Sequence, residues 1–185
     1  MALNFLSRKI KALHQDEQGF SLVELGVYGG LAALLLGAVL TNVRQPSTTA
    51  RSNATLQEFA SIIEGTNATF QGQAAFPSAD ITATIGNAGN LPSGQWDGSN
   101  ASNRFGGTYT VTGAGASATL SSPAIPQNTC IQALSRFPID GANVVSVAVN
   151  GGSVSTTQLT ATEATSACNV QGVAGNNISI VFTKG

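Results

Sequence analysis

Hydrophobic and polar positions follow three different rhythms along this chain. From Phe20 to Val43 the positions are apolar or small almost without a break, and Glu24 is the single formal charge. A helix over those 24 residues is about 36 Å long, enough to cross a hydrocarbon core of about 30 Å with some tilt. The pattern predicts a membrane-spanning helix. After Pro46 the rhythm becomes amphipathic: Ala54, Phe59, Ile62 and Ile63 form an apolar stripe. A second helical stretch is therefore expected from a cap at Ser47 or Thr48 to about Glu64, with Gly65 as its stop. One helix kinked near Pro46, or two nearly continuous helices, both fit this spacing. Core packing alone accounts for the stripe.

The third rhythm is that of short strands between turn residues. From Gly65 to Pro126 the composition shifts to Gly, Asn, Ser, Thr and Ala, and Tyr109-Thr110-Val111 and Ser117-Ala118-Thr119-Leu120 read as strands separated by Gly113 and Gly115. Further on, Asn128 can cap a short helix that places Cys130, Leu134 and Phe137 on one face. Val144 to Val149 is β-branched and apolar, Asn150-Gly151-Gly152 follows as a turn, and Ser153-Val154 starts a return strand. Thr160-Ala161-Thr162-Glu163 has capping-box spacing and opens a helix that carries Cys168, and Asn177 to Thr183 reads as a closing strand. The expected fold class is α+β, a long N-terminal apolar helix leading into a head of antiparallel sheet and short helices.

Composition narrows the classes of function. The chain has 185 residues, room for one ordinary domain, of which only 9% are charged. It is too apolar for a disordered chain and too uncharged for a typical cytosolic enzyme. Beyond Gly19, the five cations Arg44, Arg51, Arg104, Arg136 and Lys184 face seven acids, Glu24, Glu58, Glu64, Asp80, Asp97, Asp140 and Glu163, which leaves −2. That balance repels phosphate, so no nucleic-acid partner is expected. The only histidine, His14, precedes Gly19, and no nucleophile has a base and an orienting group in a recognisable motif. No enzymatic activity, cofactor or metal site is expected. Asn53, Asn67, Asn100 and Asn177 each begin an Asn-x-Ser/Thr triplet, a pattern that chance supplies in so Thr-rich a chain.

The two cysteines, Cys130 and Cys168, have 37 residues between them. In an extracytoplasmic domain they most simply form one disulfide, worth about 3–4 kcal/mol by loop closure, with two free buried thiols as the alternative. Topology points the same way. Arg8, Lys9 and Lys11 precede the apolar run and Arg44 and Arg51 follow it, which favours an N-terminus in the cytoplasm and the remainder outside. An ordinary secretory signal is cut after its apolar core at an Ala-x-Ala-like site, but this core is long and runs into Thr41-Asn42-Val43-Arg44-Gln45-Pro46, so it is retained. Within it, Gly26 and Gly30 match the GxxxG spacing that lets helices approach closely in lipid.

Glu24 is the residue that this arrangement has to explain. A carboxylate in an apolar span costs about 2.5–3.5 kcal/mol on insertion scales. Ser21-Leu22-Val23-Glu24 has capping-box spacing, in which the glutamate reaches back to the cap amide. That reading explains a helix start but not the Gly19-Phe20 pair just before it. A short basic leader ending in Gly, then Phe, then an apolar run with Glu fifth after the Gly resembles the processing site of type IV prepilins. The resemblance implies a prepilin peptidase that cuts between Gly19 and Phe20 and methylates the new Phe20 amine. Glu24 is then the subunit-docking charge, offsetting a neighbour's α-amino cation when helices pack out of water.

The resemblance also covers the C-terminal half. The order of a capped helix with Cys130, a strand ending in Val149-Asn150-Gly151, a helix with Cys168 and a final Ile-Val-Phe-Thr strand is similar to type IVb pilins, particularly the major pilins of thin conjugative pili. A leader of 19 residues suits that class, whereas Phe20 is more usual in the a class. The implied organisation is a leader over 1–19, a helix over 20–64 and a head over 65–185. Of the helix, 20–43 would form the membrane or filament core and 47–64 would pack on the head. Cys130 and Cys168 would bound a region of that head, in the type IV pilin fold. The implied partners are further copies of the chain, the prepilin peptidase, the inner-membrane assembly machinery, and the membrane before assembly. The implied location is the inner membrane with the head in the periplasm, then an extracellular pilus of a Gram-negative bacterium. A minor pilin, a secretion-system pseudopilin or a signal-anchored binding domain shares parts of this pattern.

Overall fold

The computed structural model describes residues 48–139 and 143–185. The first described element, α1 (Thr48–Thr69), buries polar as well as apolar side chains. Phe59, Ile62 and Ile63 turn inward as the stripe predicts, together with Ser52, Thr55, Glu58 and Thr66. Thr55, Thr66 and Thr69 satisfy their hydroxyls by donating to carbonyls one turn back, Arg51 O, Ile62 O and Gly65 O. The helix does not stop at Gly65. It continues to Thr69, because Gly65 packs against the backbone carbonyl of Asn90 so tightly that a Cβ would collide with it. Tertiary contact, not a turn, requires the glycine.

Four strands follow in the spatial order β1-β2-β4-β3, all antiparallel: β1 (Thr110–Ala114), β2 (Ser117–Ile125), β3 (Val144–Val149) and β4 (Asn176–Thr183). Period-2 alternation decides which side is buried. The register sets Val111 opposite Leu120, Leu120 opposite Ile180 and Ile180 opposite Val147, one buried row across the sheet. The apolar face of α1 joins the same core. Edge-on ring contacts extend it, from Phe59 to Phe137 and from Phe70 through Phe76 to Phe182.

Three short helices complete the head. α2 (Thr82–Asn87), which the sequence did not reveal, presents Gly86 to the face of Trp96, an approach with no room for a Cβ. α3 (Gln127–Leu134) begins two residues earlier than expected, with Pro126 rather than Asn128 at the N-cap position and no side-chain cap bond. α4 (Ala161–Ala167) has the predicted capping box, Thr160 and Glu163 each reaching the other's backbone amide, and ends with Cys168 at its C-cap. The return strand expected at Ser153-Val154 is not formed; Ser155 alone bridges to Val147. Among the described residues no helix is long and apolar enough to cross a membrane. The segment from Phe20 to Val43 lies outside them.

Candidate functional site

Cys130 and Cys168 are bonded, with their Cα atoms 6.0 Å apart and both side chains fully buried. The bond fastens α3 to the end of α4, so the chain between them, which contains β3, closes into a single loop. At the far end of β3 the turn is held by Asn150 (φ 52) and Gly151 (φ 70), two left-handed residues in succession. The Asn150 amide donates to Asn176 Oδ1 at 2.9 Å and to Asn169 Oδ1 at 3.2 Å, and its oxygen accepts from the Asn177 amide at 2.9 Å. Asn176, fully buried, also donates to Ile125 O and Val170 O and accepts from Val170 N. Every polar atom of its side chain is satisfied, as burial demands. Asn103 plays the same part near the end of β2, bonding Ser122 Oγ, Pro123 O and the amides of Phe105 and Gly107.

Where α1 meets the loop before β1 lies the only ion pair among the described residues. Arg104 Nε donates to Glu58 Oε2 at 2.9 Å, with the glutamate side chain 2% exposed and the arginine 37%. Tyr109 is buried with its hydroxyl unpartnered. Burial, and then the nearby Glu58 charge, push its ionisation well above the usual phenol range. On the surface, backbone amides do the opposite to two acids. Thr160 lowers Glu163, and Asn100 and Ser99 lower Asp97.

Two concave surfaces stand out among the described residues. A groove of about 410 Å³ runs along one flank of α1, floored by Leu56, Ala60, Ile63, Phe137, Pro138 and Val144. A cleft of about 580 Å³ lies between the turn after β3 and α4, with Val154, Leu159 and Glu163 in its walls. Neither holds a nucleophile with a base, and no trio of His, Cys, Asp or Glu is gathered among the described residues. Of the residues singled out in the sequence, Cys130 and Cys168 are brought together, while Gly19, Phe20 and Glu24 lie outside the described residues. The Glu58–Arg104 pair was not anticipated, since 46 positions separate the two and neither belongs to a local motif.

A family model described as PilS N terminal matches residues 49–184, most of the chain. The chain belongs to the PilS family. No curated protein sequence matches it. Among solved structures, the crystal structure of a type IV b pilin from Salmonella typhi is similar over 72% of this chain and 99% of its own, with 21% identity and a TM-score of 0.56. An NMR structure of the type IVb pilin PilS from the same organism covers 71% and 94%, with 22% identity and a TM-score of 0.47. The head of this PilS-family chain thus has the type IVb pilin fold.

Proposed function

We propose that this PilS-family chain polymerises into a type IVb pilus through its N-terminal apolar helix, serving adhesion, aggregation or mating-pair stabilisation. Before assembly it sits in the inner membrane of a Gram-negative bacterium with its head in the periplasm. The prepilin peptidase cuts between Gly19 and Phe20 and methylates Phe20, and the membrane-embedded assembly machinery then draws the mature chain into the fibre.

The observation that supports this reading best is the docking of α1. From Thr48, five residues after Val43 in sequence, the buried face of α1 joins the sheet in one core. A head whose first described helix follows the apolar segment this closely in sequence suits carriage by a bundle of such segments. In that bundle Glu24 leaves the headgroup region for a water-poor interior, where the Phe20 amine of a neighbour replaces its hydration.

Co-expression with a prepilin peptidase and the assembly machinery tests the reading. The mass of the mature chain should correspond to 166 residues starting at methylated Phe20 (185 less the 19 of the leader). Sheared surface filaments should contain it, and Glu24→Val should abolish filaments while leaving cleavage and membrane insertion intact. Filaments that retain Met1, or normal piliation in Glu24→Gln, would overturn the processing and charge-pairing steps respectively.

A further inference from the structure

The groove on the flank of α1 is apolar along its floor and rich in acceptors at one end. Its length along the helix, from Leu56 to Asn67, is about 16 Å. Toward the C-terminal end of α1 it is lined by Glu64 and Asn67, one turn apart. Glu64 is exposed and has no cation within ion-pair distance among the described residues. The side-chain oxygen of Asn67 is buried and accepts from no donor among them. α1 ends at Thr69, and the carbonyls of a last helical turn also favour a positive charge. The opposite end of the groove is different, because there Arg136, next to Phe137 of the floor, donates to Asn53 Oδ1 at 3.4 Å, one turn ahead of Gln57. The fitting occupant is therefore an apolar segment that ends in a cation, laid with its charge toward Glu64 and away from Arg136.

The chain contains such a segment before its first described residue. Leu36, Val39, Leu40 and Val43 have the i, i+3, i+4, i+7 spacing by which one face of a helix fills an apolar groove, and Arg44 follows directly. Leu36 and Arg44 are eight positions apart, as are Leu56 and Glu64. A helix laid parallel to α1 would thus set its apolar positions along the floor and its arginine at the acceptors. The other cations beyond Gly19 offer no equivalent. Lys184 and Arg136 follow residues already buried in the head, Phe182 and Leu134, while Arg51 and Arg104 follow polar stretches.

We propose that the groove receives residues 36–43 of a second copy, with that copy's Arg44 set against Glu64 and Asn67. In the membrane, lipid covers that segment; once drawn into a fibre it needs another apolar surface, and the groove supplies part of one. The contact is heterologous, a segment of one copy against the head of another, so it repeats from copy to copy along a fibre. It rests on the reading of the chain as a polymerising pilin, and it assigns one joint of that polymer, the end of one copy's apolar run against the flank of another copy's head.

Charge exchange in the full chain, processed and assembled in cells, tests this. Arg44→Glu and Glu64→Arg should each reduce sheared filaments by about tenfold or more, since like charges then meet, while the amount of mature chain in the membrane stays the same. Arg44→Glu/Glu64→Arg in one chain should restore most of the yield. Co-expression of the two single variants should restore part of it, because each supplies the partner that the other lacks; a contact within one copy would be rescued by the double variant alone. As an independent readout, Leu40→Cys combined with Ala60→Cys should give a reducible ladder of cross-linked subunits in sheared filaments. Filaments unaffected by either reversal, no rescue in either form, rescue confined to the double variant, or absence of the ladder would each overturn the joint while leaving the pilin reading intact. Failure of the unaltered chain to form filaments would instead remove the reading on which it rests.

Discussion

Replacing Arg104 by Met should destabilise the head far more than loss of a surface charge does. The change leaves Glu58 as a carboxylate on a side chain 2% exposed, with no partner and beneath the unpartnered Tyr109 hydroxyl. Removing one member of a buried pair costs about 3–5 kcal/mol. Here the arginine side is 37% exposed, so water entering in its place recovers part of that, and about 2–3 kcal/mol is expected. For a unit the size of Pro46–Gly185 that corresponds to a fall of about 6–12 °C in Tm. Glu58→Gln should cost less, about 1 kcal/mol, because the guanidinium left behind can turn toward solvent. The double variant Glu58→Gln/Arg104→Met should lie closer to the unaltered head than Arg104→Met does, since no buried charge remains. Thermal and urea unfolding of the oxidised head, followed by circular dichroism, gives all three values. The reasoning fails if Arg104→Met changes stability by less than about 0.5 kcal/mol, the scale of a solvated pair, or if the double variant is as unstable as the two singles summed.

Removing both cysteines as Ala should cost about 4 kcal/mol, the loop-closure value for a separation of 38 residues. A melting shift of only a degree or two in the oxidised head would contradict it. Gly65→Ala should destabilise despite alanine's better helix propensity, because the new methyl meets the Asn90 carbonyl; a gain in Tm would show that the loop at Asn90 yields freely. Glu163 and Asp97 are both held below the ordinary carboxylate range by backbone amides. Their contribution is therefore present above their unfolded-state values and is lost as pH falls below about 4 through the lowered folded values. NMR titration of the two carboxyls should show midpoints below those of a denatured control, and Glu163→Gln should remove the part of the acid sensitivity that resides in α4.

The features legible in the sequence were those whose cause is local. Val144–Val149 is a strand with the predicted bounds because six consecutive residues agree on it, and the Asn-Gly pair that ends it adopts the left-handed conformation its chemistry favours. The capping box at Thr160 needs only four residues to work, and it formed. The misreadings arose where a distant contact decided the outcome. Gly65 looks like a helix stop until Asn90 is brought against it. Asn128 looks like a cap until the chain enters α3 by way of Pro126. α2 has only six residues, and the one side chain that serves its start, Asp80 accepting from the Thr82 amide, is a pattern equally at home in a turn. In the Asn-rich middle no single asparagine stood out, yet Asn103 is the pin that joins it to the end of β2. One asparagine among many has no periodicity to mark it.

The polar character of α1's buried face bears on how the head is held to its helix. An apolar stripe alone would hold α1 against the sheet with little preference between registers one turn apart, since Phe, Ile and Leu can exchange places at modest cost. Glu58 removes that freedom. Sliding α1 by one turn moves the carboxylate about 5 Å from the Arg104 Nε that now lies 2.9 Å away and leaves it buried without a counter-charge, a state penalised far more than a mismatched methyl. Asn90 adds a second constraint, because its amide donates to Thr69 Oγ1 while its carbonyl occupies the space that only Gly65 leaves open. The two contacts fix α1 near its middle and at its end. Tension applied along a helix so fastened is passed to the loops before β1 by contacts that resist slip.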